Sequence, residues 1–119
     1  MANLKRNMIE LVKDVKEGEI VTEKYLTPVF IPLTVTYEAV DLLAYIKELE
    51  KNGEEVDEKE VIFKMMDFVV KLYKGAFTKE ELENGLHAPD AIPTLQDQII
   101  FIAQGQQSNA TKEFLAKKN

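Results

Sequence analysis

Apolar residues crowd one central stretch of the chain at helical spacing. Across residues 61–74 the polar remainder is a single narrow stripe, made of Lys64, Asp67, Lys71 and Lys74. A helix that is apolar over most of its circumference must be enclosed by other elements or by other subunits. We therefore predict a central helix at about 57–74, with Asp57 as its N-cap and Gly75 as its stop.

The N-terminal part of the chain has a different pattern. Residues 20–26 are rich in β-branched and aromatic side chains and follow a turn-like sequence, which is typical of a strand. The residues before them fit either a strand or a helical stripe, the latter made of Leu4, Met8, Leu11 and Val15. Because a single strand needs a partner for its backbone groups, we favour a β-hairpin that pairs residues 8–15 with 20–26 across Gly18.

Two prolines frame the next segment, residues 27–32 (TPVFIP), which we name the connector. Each proline disfavours a helical conformation in the residue before it, so the connector is predicted to be extended. It carries three adjacent apolar residues, Val29, Phe30 and Ile31. We favour a loop that lays all three side chains on the core. The alternative is an apolar segment that is offered to a partner.

An amphipathic helix is predicted after the connector. It begins at Thr34 or Thr36 and runs to about Lys51, where Asn52 and Gly53 end it. One face carries the residues that we expect to be buried, which are Ala39, Leu42, Leu43, Ile46 and Leu49. The acidic link that follows, residues 54–60, lacks the spaced ligands and the central glycine of a calcium loop.

A short helix that ends at Gly85 is marked by its end signals. Thr78 is its predicted N-cap, and Glu81 stands three residues later, which completes a capping box. His87 follows and is the one histidine of the chain. Without a nucleophile or a second histidine near it in the sequence, it is expected to be a polar loop residue and not a catalytic or metal-binding group.

The last strong helix is predicted at residues 91–104, with Asp90 as its N-cap and Pro93 in its first turn. Its expected buried stripe is Ile92, Leu95, Ile99 and Ile102. Ile100 and Phe101 lie off this stripe, so either a second element or a neighbouring subunit would have to pack them. The tail holds two large apolar residues, Phe114 and Leu115, and either docks back on the domain or tethers partners.

Together these elements predict a mainly α fold: a small helical domain around a central helix (about 57–74), with an N-terminal β-hairpin. Residues 1–105 form the predicted domain, and residues 106–119 form a polar hinge and a short C-terminal tail. A chain of 119 residues is large enough to bury a core without covalent staples.

Composition narrows the functional classes. There is no cysteine, so neither disulfides nor thiolate metal sites apply, and a net charge of −6 with scattered basic residues disfavours nucleic-acid binding. No signal peptide or membrane span is recognisable, so a soluble cytoplasmic protein is expected. The chain has no phosphate-binding loop, nucleophile elbow or metal-ligand spacing. We expect neither an enzyme nor a cofactor.

Three segments resemble one protein family over nearly the whole chain. They are KYLTPVFIPL (24–33), FTKEELENGLHAP (77–89) and the closing IIFIAQGQQSNATKEFLAKKN (99–119). Their combination and order are similar to the tail assembly chaperones of long-tailed phages and prophages of Gram-positive bacteria.

The resemblance implies a non-enzymatic assembly factor of the host cytoplasm that is absent from the mature virion. Such chaperones coat the tape measure protein and help to recruit the major tail protein as the tail tube polymerises. Many are made as a short form and a frameshifted longer form, and this chain looks like the short form. The alternative is a structural head–tail joining or tail completion protein that stays in the virion.

An assembly chaperone needs apolar contact surface and repeated copies. Our hypothesis places self-association on the Phe101 side of the last helix. Contact with the client is assigned to Phe30 or to the tail residues Phe114 and Leu115.

Overall fold

A computed structural model of the protein describes residues 4–52, 58–107 and 109–118. Its elements, in chain order, are β1 (Met8–Lys16), β2 (Glu19–Leu26), α1 (Thr34–Asn52), α2 (Glu58–Leu72), α3 (Lys79–Gly85), α4 (Ala88–Gln104) and α5 (Asn109–Lys118). The mainly α fold with an N-terminal hairpin is thereby confirmed. The predicted helix ends at Gly53 and Asp57 lie outside the described residues.

The two strands form the predicted antiparallel hairpin, with Met8 opposite Leu26 at its base. Glu17 and Gly18 both have positive φ, 49° and 82°, as a tight turn between right-twisted strands requires. A bulge between Val12 and Asp14 shifts the register by one residue. The base of β1 is buried, whereas residues 13–24 around the turn are exposed on both faces.

The central helix α2 is enclosed by α1, α3 and α4, as the sequence predicted. Its buried residues are Met65, Met66, Phe68, Val69 and Leu72, and the polar stripe faces solvent. Phe63 is the exception, because it is exposed beside the stripe with the Lys79 ammonium 4.8 Å from its ring centre.

The end of α2 also follows the prediction. The N–H of Lys74 donates to the carbonyl of Lys71, and the N–H of Gly75 donates to the carbonyl of Val70. This pair of hydrogen bonds is a Schellman motif, which satisfies carbonyls that the last turn would otherwise leave open.

Helix α3 has the predicted capping box. The N–H of Glu81 donates to the Thr78 hydroxyl and the N–H of Thr78 donates to the Glu81 carboxylate, both at 3.0 Å. Gly85 ends the helix against β1, where an added Cβ would lie 2.9 Å from the Cβ of Leu11. The absence of a side chain at Gly85 therefore sets how closely α3 approaches the hairpin.

Helix α4 begins earlier than predicted, so Pro93 lies inside the helix and not in its first turn. Its N-cap is His87 and not Asp90, which lies inside the first turn with its N–H donating to the carbonyl of His87. The early start is possible because Pro89 falls where the helix leaves N–H groups unpaired, so its missing donor costs nothing. The prediction that Ile92 is buried is also wrong, since this residue lies in the exposed first turns.

Helix α1 packs on both α2 and α4. Ala39 is fully buried and Leu42, Leu43 and Ile46 are half-buried, which confirms the predicted inner face of α1. The side chain of Leu49, the fifth residue of that face, lies outside the described part of the chain.

A buried polar network joins the base of the hairpin to the last two helices. Gln98 is its centre: its oxygen accepts from the Asn7 amide at 3.1 Å and from the Tyr73 hydroxyl at 2.5 Å, and its nitrogen donates to the carbonyl of Met8 at 2.8 Å. The Thr111 hydroxyl accepts from the N–H of Met8 at 3.0 Å. Through Thr111, α5 docks on the start of β1, which is the first of the two alternatives for the tail.

Candidate functional site

The connector leaves two of its three apolar side chains in solvent. Val29 is 66% exposed and Phe30 is 63% exposed, whereas Ile31 is half-buried against the core. The expectation that all three pack on the core is therefore wrong for Val29 and Phe30. Thr27 anchors one end of the connector through its buried backbone and hydroxyl contacts to Asn7, so the short extended segment cannot turn every side chain inwards.

These exposed residues border a groove of about 280 Å³, which we name the connector groove. Its lining residues are Leu4, Lys5, Val29, Phe30, Ile31, Thr36, Phe101, Ile102 and Gly105. Phe30 and Ile31 also line a smaller depression next to the groove, so both residues border the two depressions. The groove is open to solvent and mostly apolar, which suits an apolar side chain of a partner.

The structure brings together two of the residues that the sequence singled out as contact candidates. Phe101 is only 5% exposed and lies among the residues of α4 that line the groove, while Phe30 stands at the edge. Elements of the same chain therefore pack Phe101, which removes it from the outer surface. Leu115 is half-buried on α5 and is not among the groove residues. The side chain of Phe114 lies outside the part of the chain that the structure describes.

The outer face of α1 extends the apolar surface beyond the groove. Leu33, Tyr37 and Val40 are all exposed. Leu33 directly precedes α1, and Tyr37 and Val40 lie on one side of the helix because they are three residues apart. Thr36, which lines the groove, is four residues before Val40. This surface was not predicted from the sequence. The signal was present, because these apolar residues lie off the predicted inner face of α1.

The connector groove carries little charge. Of the described residues that line it, only Lys5 is charged, and its ammonium lies 3.4 Å from the carbonyl of Gly105. The neighbouring Arg6 donates to the carbonyl of Thr27 at 2.7 Å, which holds the start of the connector against the N-terminal segment. Few charged groups would therefore lose solvent when an apolar partner fills the groove.

A second cleft, of about 370 Å³, lies between the hairpin and α4 and includes His87. Its polar lining residues are Glu10, Thr22, His87, Asp90, Thr94, Asp97 and Gln98. The carboxylates make it acidic, and partial burial raises the pKa of Asp97. His87 is exposed at the N-cap of α4 without a side-chain capping hydrogen bond. No group of three or more potential ligands in the described ranges is arranged to hold a metal ion.

Comparison with known proteins settles the family. A family model described as phage tail chaperone protein matches residues 3–119. The chain belongs to the phage tail chaperone family. The resemblance found in the sequence is thus confirmed. Searches of curated proteins and of solved structures gave no match.

Membership gives this tail chaperone a role in phage tail assembly, as a helper of the assembly process. In the ranges that the structure describes, no helix is both long enough and apolar enough to cross a bilayer. A tail chaperone acts by contacting other tail proteins, so its exposed apolar surface is the feature of functional interest.

Proposed function

We propose that this tail chaperone is a non-enzymatic factor that binds the tape measure protein and helps to recruit the major tail protein during tail tube assembly. It acts in the host cytoplasm and leaves the tail before the virion matures. The proposal combines the family with one structural observation, the exposed apolar surface around Phe30.

Exposed aromatic and aliphatic residues in one place are costly for a protein that has no partner. Burying one large apolar side chain is worth about 1.5–3 kcal/mol, and clustered exposed ones mark contact surfaces. Phe30 and Val29 are displayed between two prolines, which hold the extended backbone and reduce the entropy lost when a partner binds. This pre-organised display supports the connector groove as the client site.

The groove suits one or two apolar side chains of a helical client. Its floor is formed by Phe101 and Ile102 of α4, and its edge by Phe30. An amphipathic helix that docks in such a groove uses apolar residues at helical spacing as anchors. A tape measure protein with long apolar helices offers many equivalent anchors, so many chaperone copies would coat one client. We propose Phe114 and Leu115 of the tail as a second contact.

Co-expression with the tape measure protein tests the proposal. Affinity-tagged wild-type chain should co-purify with the tape measure protein, and Phe30→Ser should reduce the recovered client at least tenfold. Ile20→Ser is the matched control, because Ile20 is 64% exposed on the hairpin and does not line the groove. Equal recovery with all three proteins would reject the connector groove as the client site, and no recovery with any of them would reject client binding.

The composition of purified phage particles separates this role from the structural alternative. An assembly chaperone should be absent from mature virions by mass spectrometry while being abundant in the lysate. A stoichiometric amount in the particle would instead indicate a head–tail joining or tail completion protein.

A further inference from the structure

The hairpin has one covered edge and one open edge. On the outer edge of β1, the N–H of Met8 donates to the Thr111 hydroxyl, and the carbonyl of Met8 accepts from Gln98. Further along, Gly85 of α3 lies against the backbone of Val12. Helices therefore cover the outer edge of β1. Within the described ranges, β1 is the one element that packs closely on β2.

The register of the hairpin tells which backbone groups of β2 turn outwards. The N–H of Thr27 donates to the carbonyl of Asn7, and ladder hydrogen bonds recur at every second residue of an antiparallel pair. The bonds to β1 therefore fall on the odd-numbered residues of β2, as the two-residue turn before Glu19 also requires. Ile20 and Thr22 direct their N–H and C=O groups away from β1. We name these four groups the β2 edge.

The β2 edge lacks the usual protection against a further strand. Natural proteins guard open edges with prolines, lysines or bulges. Residues 19–23 (EIVTE) contain neither a proline nor a lysine, and the bulge lies in β1. Ile20 is 64% exposed and Val21 is 46% exposed, on opposite faces of the strand. An open edge with exposed β-branched side chains on both faces is suited to accept one more strand.

We propose that β2 binds an extended strand of another protein, which adds to the hairpin as a third, antiparallel strand. Backbone pairing selects the shape of the partner, since an extended strand presents donors and acceptors at the spacing of the β2 edge. The antiparallel orientation is the more stable of the two per residue. No residue of β2 lines the connector groove, so this site is separate from the proposed site of the helical client.

The side chains of β2 define the charge of the partner strand. One face carries Glu19, Val21 and Glu23, all exposed, so the matching residues of the partner are basic, apolar and basic. Glu23 lies 3.9 Å from the Lys13 ammonium, but that ammonium is closer to Glu81, at 2.8 Å. Glu23 therefore has capacity for a second cation. The net charge of −6 also attracts a basic strand.

The same charges disfavour a second copy of β2 as the added strand. An antiparallel copy centred on Val21 would set Glu19 opposite Glu23, and a copy centred on Glu23 would set that residue opposite itself. The register centred on Thr22 sets Glu23 opposite Val21. Like charges directly opposite each other destabilise a strand pair, and none of these three registers pairs a glutamate with a cation. A basic strand from another protein meets neither problem.

A designed strand peptide tests the proposal. The probe is the blocked, fluorescently labelled hexapeptide Glu-Lys-Thr-Val-Val-Lys, whose residues lie opposite residues 24 to 19 in that order. Fluorescence anisotropy should show saturable binding, and the charge-reversed peptide Lys-Glu-Thr-Val-Val-Glu should bind at least tenfold more weakly. No binding of the first peptide up to the millimolar range would overturn the proposal. Equal affinities of the two peptides would overturn the basic character of the partner.

Methyl groups on the backbone nitrogens of the probe separate edge pairing from other modes of binding. The threonine nitrogen of the probe faces Thr22, so its methylation removes a donor and should weaken binding at least tenfold. The nitrogen of the first valine points away from β2, so its methylation should leave the affinity within twofold. Equal affinities of the two methylated peptides would overturn pairing at the β2 edge.

Thr22→Pro removes a donor from the β2 edge itself. Proline is tolerated where a strand N–H faces solvent, and Thr22→Ala is the matched control, because it keeps the N–H but also loses the hydroxyl contact to Glu10. Peptide affinity should fall at least tenfold with proline and stay within threefold with alanine. Equal affinities of these two variants would overturn the proposal. Phe30→Ser should bind the peptide as wild type does, which distinguishes this test from that of the client site.

Amide hydrogen exchange on the wild-type chain gives a measurement that needs no variant. Saturating peptide should slow the exchange of the Thr22 N–H at least fivefold. The N–H of Glu23, which already pairs with β1, should change less than twofold. An unchanged rate at Thr22 would overturn the proposal. Slowing that depends on the concentration of the chain alone, without peptide, would assign the β2 edge to a second copy and would equally overturn it.

Discussion

The hydroxyl of Thr111 donates a 2.7 Å hydrogen bond to the side-chain oxygen of Asn7, which joins the last helix to the residue before the first strand. Both side chains are fully buried. The same hydroxyl accepts the N–H of Met8. Because α5 is mostly polar, this hydroxyl is a principal attachment of the tail to the domain.

Thr111→Val tests that attachment. The variant keeps the shape of the side chain but removes both hydrogen bonds, which leaves the N–H of Met8 buried without its acceptor. We expect a loss of about 1–3 kcal/mol in the free energy of unfolding by urea. Thr111→Ser retains the hydroxyl and should lose less. A valine variant as stable as wild type would mean that the hydroxyl makes no net contribution to the free energy of unfolding.

The buried Tyr73 phenol should make the free energy of unfolding depend on pH in alkali. Burial raises the pKa of Tyr73 above its ordinary value of 10.0, because the charged phenolate would lose its hydration. The folded state therefore favours the neutral phenol, whose contribution is present below about pH 10 and is lost as the pH rises above it. Urea unfolding at pH 8 and pH 11 measures this loss.

Tyr73→Phe is the corresponding variant. It removes the hydrogen bond to Gln98, so it should cost about 1 kcal/mol at pH 8. Its unfolding free energy should then fall less than that of wild type between pH 8 and pH 11. An identical alkaline decrease in both proteins would show that another group controls it.

Glu81 gives the opposite pH dependence. The Lys13 ammonium, 2.8 Å from its carboxylate, and then the backbone N–H of Thr78 hold the pKa of Glu81 below its ordinary value of 4.5. A lowered pKa means that the stabilisation is present above pH 4.5 and is lost as the pH falls below it. Glu81→Gln can keep the capping box and should show a shallower loss of stability between pH 6 and pH 3.

Gly85→Ala tests the close approach of α3 to the hairpin. The added Cβ would lie 2.9 Å from the Cβ of Leu11 and 3.2 Å from the carbonyl oxygen of Val12, so the helix must shift. We expect a loss of about 1–3 kcal/mol by urea unfolding. Glu83→Ala, at an exposed position of the same helix, should stay within about 0.5 kcal/mol of wild type. A stable Gly85→Ala protein would contradict this packing.

The structural elements whose signals lie close together in the sequence could be predicted. The capping box at Thr78, the turn at Gly18 and the narrow polar stripe of α2 each depend on residues close together in sequence, and all three are present. Sequence patterns alone do not reveal long-range polar contacts. Gln98 lies beside the buried Ile99 and is itself buried, because its partners come from the distant Asn7 and Met8.

Only part of the candidate site could be predicted from the sequence, because the rest depends on contacts between residues that are far apart in the chain. Phe30 was noted as an apolar residue between prolines, but its exposure depends on how Thr27 is tethered to Asn7. Phe101 lay off the predicted stripe, yet it is buried and lines the same groove as Leu4 and Ile31, which are far away in sequence. The apolar outer face of α1, including Tyr37, was not predicted, because its residues lie off the stripe that marks the buried side of the helix.

The most direct measurement is the fraction of tape measure protein that remains soluble when it is co-expressed with increasing amounts of this chain. We expect the soluble fraction to rise with wild-type chain and with Ile20→Ser, and we expect Phe30→Ser to leave most of the client in the pellet. A soluble fraction that does not change with the amount of chain would contradict the proposed chaperone role. Equal soluble fractions with Phe30→Ser and with wild type would contradict the assignment of the client site to Phe30.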